Sequence, residues 1–243
     1  MQGRISLVKQ ILLHLVPGLL TALAYALFGT LFHRNGLPAI LGFYTATLVV
    51  LFPLLIGIPL YRAKKSGSPA RLRDLIQFRE PVPAWQMALL VVGSLLWAIG
   101  LFMLAGSALA DPLKETLFAW VPEWLDLGYY LTAGAYARPA VIAAWAAGLV
   151  FAVLLGPFLE ELYFRGYLLP RMPDLGWWTP LITIILFASY HFWSPWQVLV
   201  RIIAMLPMYY AVWWKKNIWI GIIGHILLNL GGDFLGSIPL IFP

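Results

Sequence analysis

Four short stretches of the sequence place polar or charged side chains inside long apolar runs. Within a bilayer an ionisable side chain costs at least about 2 to 3 kcal/mol, so each stretch calls for a functional explanation. A carboxylate near a histidine can activate water, and an imidazole with a neighbouring amide can stabilise an oxyanion, which together suit hydrolysis of an amide bond. The stretches are Gly156-Pro157-Phe158-Leu159-Glu160-Glu161-Leu162-Tyr163-Phe164-Arg165, Phe187-Ala188-Ser189-Tyr190-His191, His225-Ile226-Leu227-Leu228-Asn229 and the single residue Arg201.

The first stretch contains two carboxylates that cannot serve the same purpose. On a helix, adjacent residues lie about 100° apart, so Glu160 and Glu161 face different neighbours. Glu161 and Arg165 are four residues apart, in register for an ion pair. This spacing predicts one structural carboxylate, Glu161, and one working carboxylate, Glu160. The alternative is that both glutamates and Arg165 form an interfacial charge cluster at a helix end.

The other stretches are weaker when each is taken alone. A single membrane histidine such as His191 usually hydrogen-bonds a neighbouring helix. His225 and Asn229 are four residues apart and therefore share one helix face. Arg201 has no acidic neighbour in the local sequence, so we expect its partner on another helix, with Glu161 and Asp233 as candidates.

The elements that carry these residues are predicted to be membrane helices. Of the 243 residues, 62% are hydrophobic and 11% are charged, against about a quarter charged in an ordinary soluble domain. Helices satisfy their own backbone polar groups in lipid, so the fold class is an all-α polytopic transmembrane helix bundle with about seven spans, in a range of about six to eight. We predict spans at 11–32, 38–60, 85–109, 139–170, 179–195, 196–214 and 217–235, and an interfacial helix over 113–127.

Charge distribution predicts the orientation of this single integral membrane domain, 1–243. The formal net charge is +6, but the basic residues lie in short connections between spans, so membrane topology explains them better than nucleic-acid binding. With the N-terminus cytoplasmic, one side of the membrane holds far more basic residues than the other. The inner side holds Arg4, Lys9, Arg62, Lys64, Lys65, Arg71, Arg73, Arg79, Arg165, Arg171, Lys215 and Lys216, and the outer side Arg34, Lys114 and Arg138.

Depth links the polar stretches to one another. At about 1.5 Å per residue, Glu160 lies roughly 15 Å from the inner end of its span, His191 roughly 18 Å and His225 roughly 12 Å. All three can therefore meet at one level inside the membrane, in a cavity open to the cytoplasmic side. The absence of cysteine excludes a cysteine nucleophile, a thiolate metal site and disulfides.

The order Glu160-Glu161-x-x-x-Arg165, Phe187-x-x-x-His191 and His225-x-x-x-Asn229 resembles the CAAX protease and bacteriocin-processing (CPBP) family of intramembrane proteases. The resemblance covers about residues 139–235, the expected catalytic core. The N-terminal spans within 1–110 match that family only in being hydrophobic.

The resemblance implies a role for each motif residue. Glu160 would be the general base, His191 its partner in activating water, and His225 and Asn229 the oxyanion donors, while Glu161 would support the site together with Arg165. No metal or other cofactor is expected. In the alternative, Glu160, His191 and His225 would be ligands of a zinc ion, although the pattern with two histidines four residues apart on one helix is absent.

The expected partners are the lipid bilayer and a peptide or membrane-anchored protein substrate, with no nucleic acid. We expect an integral membrane protein of the bacterial inner (plasma) membrane. Two other classes remain open: a noncatalytic membrane scaffold or bacteriocin-immunity protein, which would function without Glu160, and a small transporter, since charges near the membrane midplane also mark substrate paths.

Overall fold

The computed structural model describes residues 3–67 and 71–242, and the regular structure of these residues is helical, without a β-strand. Six helices in this part of the chain are long and apolar enough to cross a membrane, and one apolar helix is shorter. The predicted all-α polytopic bundle is therefore confirmed. In chain order the helices are α1 (Leu7–Arg34), α2 (Ala39–Lys65), α3 (Ala84–Glu115), α4 (Arg138–Arg171), α5 (Trp178–Ser189), α6 (Pro195–Lys215) and α7 (Ile218–Ile241).

The short helix α5 departs from the predicted fifth span, 179–195. Its 12 residues end at Ser189, which gives a length of only about 18 Å. The chain then turns, with the Phe192 amide bonded to the Tyr190 carbonyl, before α6 begins at Pro195. Proline lacks an N–H and is favoured in the first turn of a helix. His191 consequently lies on an irregular turn between two helices.

The predicted interfacial helix over 113–127 is wrong. Helix α3 continues to Glu115, and short turns follow, with single 3₁₀ turns at Glu123–Leu125 and Tyr129–Leu131. Pro122 precedes the first of them. Because a residue that precedes proline is disfavoured in the α conformation, a continuous helix through this position is also disfavoured.

The C-terminal half of α4 lies at the centre of the core. Tyr163, Phe164, Tyr167 and Leu168 are each at most 1% exposed. The hydroxyl of Tyr163 donates a hydrogen bond to the backbone carbonyl of Leu13 in α1, at 2.9 Å. Buried tyrosines usually find such a partner. The helix with the paired carboxylates is thus fixed on several sides by its neighbours.

The connection between α2 and α3 closes one end of the bundle. Ile76 is buried, and the amide of Gln77 donates to the carbonyl of Gly166 in α4 at 2.8 Å. The Phe78 carbonyl accepts from the amide of Ile218 at 2.8 Å, which satisfies one of the N–H groups that the first turn of α7 leaves free. This segment therefore ties the end of α4 to the start of α7.

Candidate active site

Helix α4 changes its winding where it presents the two carboxylates. Wide π-helical stretches occupy Leu149–Leu155 and Glu161–Leu168, and a regular α-helical stretch, Gly156–Glu160, lies between them. Wide turns of this kind are frequent at functional sites. Glu160 ends the regular stretch and Glu161 begins the second wide one, and as adjacent helical residues the two side chains reach different surroundings.

Glu161 is fully buried and contacts two partners through one carboxylate oxygen, Oε1. Arg165 forms the ion pair with it that the spacing of four residues predicts. His225 Nδ1 lies 2.9 Å from the same oxygen. Gly221 of α7 leaves room for the carboxylate, since a Cβ at this position would lie 3.1 Å from the Cδ of Glu161. Glu161 therefore joins α4 to α7.

The guanidinium of Arg165 is enclosed by this ion pair and by two aromatic rings. It lies 3.9 Å from the ring centroid of Tyr209 and 5.2 Å from that of Phe187. A cation over an aromatic face is attracted by the negative face of the ring, and the attraction grows when water is excluded. Arg165 is completely buried, and a buried charge of this kind requires its partner to remain in place.

Glu160 has a different partner, the phenol of Tyr190, which donates a hydrogen bond to Glu160 Oε1. The Glu160 residue is 8% exposed. In the described part of the chain, no hydrogen bond joins Glu160 to His191, the partner that the resemblance implies. The positive charges of Arg165 and Arg201 act electrostatically on Glu160.

His191 is nevertheless next to this pair. Its Nδ1 lies 2.8 Å from the backbone carbonyl of Phe187, and its ring centroid lies 4.3 Å from that of Tyr190. The ring of Phe187 lies near both imidazoles, with its centroid 4.8 Å from that of His191 and 6.2 Å from that of His225. Thus the carboxylates of α4, the turn after α5 and the histidine of α7 meet around Phe187.

These contacts determine the tautomers of the two neutral imidazoles. A carbonyl oxygen only accepts hydrogen bonds, so the neutral ring of His191 carries its proton on Nδ1. The ionised carboxylate of Glu161 is also only an acceptor, which assigns the Nδ1 proton of His225 in the same way. Each neutral ring then has a lone pair on Nε2. His225 can donate from Nε2 only when its ring carries both protons.

Asn229 follows His225 by one helical turn and faces α4. Its Nδ2 donates to the backbone carbonyl of Ala152 at 2.9 Å, and the side chain is half-buried. An amide nitrogen has two hydrogens, so a second one remains for another acceptor. No hydrogen bond between His225 and Asn229 occurs in the described residues.

Two hydrogen bonds of Arg201 go to residues that are near it in the sequence. Its guanidinium donates to Gln197 Oε1 at 2.8 Å and to Ser194 Oγ at 3.1 Å. These partners belong to the start of its own helix and the preceding turn, because Gln197 is four residues earlier, where helical neighbours meet. Glu161 instead pairs with Arg165. The Asp233 side chain, the other candidate, lies outside the described residues.

The sequence reasoning missed two tyrosines of this region. Tyr190 bonds Glu160, and Tyr209 covers the guanidinium of Arg165. Tyr190 directly precedes His191 in the second motif, which is the one clue the sequence offers. Tyr209 lies in the apolar sixth span without any motif around it.

The described residues of this region do not form a cluster of metal ligands. Within the described ranges, no group of three His, Cys, Asp or Glu side chains is arranged so that it could hold a metal ion. The Nδ1 of His225 is turned to Glu161 and the Glu160 carboxylate to Tyr190. The alternative set of Glu160, His191 and His225 is therefore not assembled as a ligand cluster.

The fold and the site together define a class: an integral membrane protein with a carboxylate and histidine site among its helices. Residues 141–231 match the family model described as type II CAAX prenyl endopeptidase Rce1-like. The predicted resemblance to the CAAX protease family is thereby confirmed for this segment, which contains Glu160, His191, His225 and Asn229. The match points to a peptide hydrolase.

Two further comparisons add no relative. No curated protein matches the chain, and no solved structure matches it either. The family match begins within α4 and ends within α7. Helices α1, α2 and α3 lie outside it.

Proposed function

We propose that the protein is an intramembrane endopeptidase that hydrolyses a peptide bond in a membrane-associated peptide or protein. The observation that carries this proposal is the meeting of Glu160, Glu161, His191 and His225 inside a bundle of membrane-spanning helices, within the segment that matches the endopeptidase family. Polar groups are costly at such a depth, and a catalytic role accounts for their presence.

In the first step, Glu160 acts as the general base toward a water molecule. The water oxygen forms a bond to the carbonyl carbon of the substrate, one water proton passes to Glu160, and the electron pair of the carbonyl bond moves to its oxygen. Tyr190 occupies one carboxylate oxygen of Glu160, so the other oxygen takes the proton. His191 accepts a hydrogen bond from the same water at Nε2, which is the lone-pair nitrogen of its tautomer.

In the second step, His225 and Asn229 stabilise the oxyanion, and the peptide bond breaks. His225 donates from Nε2 when its ring carries both protons, the Nδ1 proton being bonded to the carboxylate of Glu161. Asn229 donates its second amide hydrogen, since Ala152 accepts the first. Donors aimed at developing charge in a dry site contribute strongly to catalysis. The oxyanion then re-forms the carbonyl bond, the carbon–nitrogen bond breaks with its electron pair going to the nitrogen, and the nitrogen takes the proton from Glu160.

The proposed reaction uses no metal or other cofactor. The partner of each imidazole Nδ1 orients the ring for the acid and base steps above, and the charge of Glu161 is engaged by Arg165. Glu160 takes part in both proton transfers, first from the water and then to the leaving nitrogen. This mechanism corresponds to a glutamate-type hydrolase.

We further propose that the substrate enters from the cytoplasmic leaflet of a bacterial inner membrane. The excess of basic residues on one set of connections supports this orientation. A lipid bilayer and a peptide or membrane-anchored protein are then the two partners of the site.

The test is cleavage of a library of membrane-anchored peptides by the purified protein in detergent. We expect Glu160→Gln to lower the rate by about 10²- to 10⁴-fold, the usual contribution of a general base. Glu123→Gln, at an exposed glutamate of the connection between α3 and α4, is the matched control and should retain the wild-type rate. Absence of cleavage by the wild type across a diverse library would overturn the proposal in favour of a noncatalytic scaffold.

A further inference from the structure

Tyr190 is a buried residue of the site that the family motifs do not include. Its side chain is 0% exposed, and its hydroxyl donates to Glu160 Oε1, across 30 positions of sequence. It stands on the turn after α5, directly before His191. The contact therefore links the turn that carries the histidine to the helix that carries the carboxylate.

Aromatic neighbours fix the direction of this hydroxyl. The ring centroid of Tyr190 lies 4.7 Å from that of Phe164, 5.1 Å from that of Trp193 and 4.3 Å from that of His191. A ring packed on these sides cannot change rotamer without displacing its neighbours. The donor is consequently held in place before any substrate binds.

Helix α1 contributes to the same position through a glycine. A Cβ at Gly18 would overlap the carbonyl oxygen of Tyr190 and would lie 2.7 Å from its ring carbon Cδ2. Only a residue without a side chain lets α1 approach the turn so closely. Since α1 lies outside residues 141–231, part of the support for the site comes from beyond the segment that matches the family.

We propose that Tyr190 is a positioning residue for Glu160, and that the close approach of α1 at Gly18 keeps the Tyr190 turn in place. A donor on one carboxylate oxygen stops the carboxyl group from rotating and directs the other oxygen toward the water. Small losses of alignment in a reacting group have large effects on rate. The role in catalysis depends on the proposed function, whereas the contact itself does not.

The first experiment separates positioning from a purely structural role by means of kcat and KM. We expect Tyr190→Phe to lower kcat by about 10- to 100-fold, with KM changed less than about twofold, because the lost interaction orients the base and does not bind the substrate. Tyr163→Phe is the matched control: it removes a buried hydroxyl that bonds the Leu13 carbonyl, and kcat should stay at the wild-type value. An unchanged kcat in Tyr190→Phe, in a protein whose wild type cleaves peptides, would overturn the proposal.

A second pair of variants tests the contribution of α1. Gly18→Ala should lower kcat in the same way as Tyr190→Phe, since the new methyl group must displace the Tyr190 turn. Gly57→Ala in α2 is its control, because a Cβ there meets nothing within 4 Å. Equal activity of the two alanine variants would refute the part assigned to Gly18.

The contact can also be measured without any substrate. The infrared carboxyl band of Glu160 is identified as the band that disappears in Glu160→Gln. We expect this band to shift in Tyr190→Phe and to stay in place in Tyr163→Phe. A band that does not move in Tyr190→Phe would overturn the contact. A shifted band in a protein that cleaves no peptide would retain the contact and reject the proposed function, so the two failures are distinguishable.

Discussion

Glu160 and Glu161 are adjacent in the chain but lie in two unlike regions of the molecule. The Glu161 region is closed: its carboxylate is fully buried and holds both Arg165 and His225. The Glu160 region is slightly open, at 8% exposure, with a neutral phenol as its hydrogen-bond donor. The difference indicates that one carboxylate holds two helices together while the other keeps an oxygen for a reacting molecule.

The largest expected difference between the two glutamates is in the free energy of unfolding of their glutamine variants. Glu161→Gln keeps the size of the side chain but leaves Arg165 charged and buried without a counter-ion, which usually costs about 3 to 5 kcal/mol. Glu160→Gln leaves an amide oxygen that can still accept the hydrogen bond of Tyr190, so the change in stability should stay below about 1.5 kcal/mol. The free energy of unfolding of both variants, measured by titration with a denaturing detergent, provides the comparison. Equal losses would mean that both glutamates belong to one structural cluster.

A second effect concerns the two proposed oxyanion donors of α7. His225→Ala should lower kcat by about 10²- to 10³-fold, the usual loss for one such donor. Asn229→Ala should have a smaller effect, because one amide hydrogen of Asn229 already bonds Ala152 and the side chain is half-buried. The kcat of each variant on the same peptide gives the order, with Leu230→Ala as a neighbouring control on α7. A larger loss in Asn229→Ala would reverse the roles proposed for the two donors.

Much of the fold follows from local sequence. Apolar runs of sufficient length predict the six long helices, because lipid leaves few alternatives to a helix. Once the helix is predicted, the spacing of Glu161 and Arg165 predicts their ion pair, because side chains four residues apart lie next to each other on a helix. The end of α5 at Ser189 was not predictable in this way, because the apolar character continues beyond the last helical turn.

The remaining parts of the site depend on tertiary contacts. Glu161 meets His225 across 64 positions of sequence, and Tyr190 meets Glu160 across 30. Contacts across such long stretches of sequence follow no helical or strand repeat, so a sequence pattern does not predict them. For Arg201 a distant partner was expected, and two of its hydrogen bonds go to nearby uncharged residues, Gln197 and Ser194.

The smallest expected effect is that of a metal chelator, which tests whether the Glu160 carboxylate serves as a base or as a metal ligand. Treatment with the chelator should leave kcat unchanged within about twofold. Metal ligation would require Glu160, His191 and His225 to gather around one ion, with both imidazole Nε2 atoms and a carboxylate oxygen as ligands. No such group occurs among the described residues, where the Nδ1 of His225 contacts Glu161 and the carboxylate of Glu160 contacts Tyr190. The measurement is peptide cleavage before and after chelation, together with elemental analysis of the purified protein. Activity that is lost on chelation and returns with zinc would contradict the metal-free mechanism and would require Glu160 to exchange the Tyr190 phenol for the metal ion.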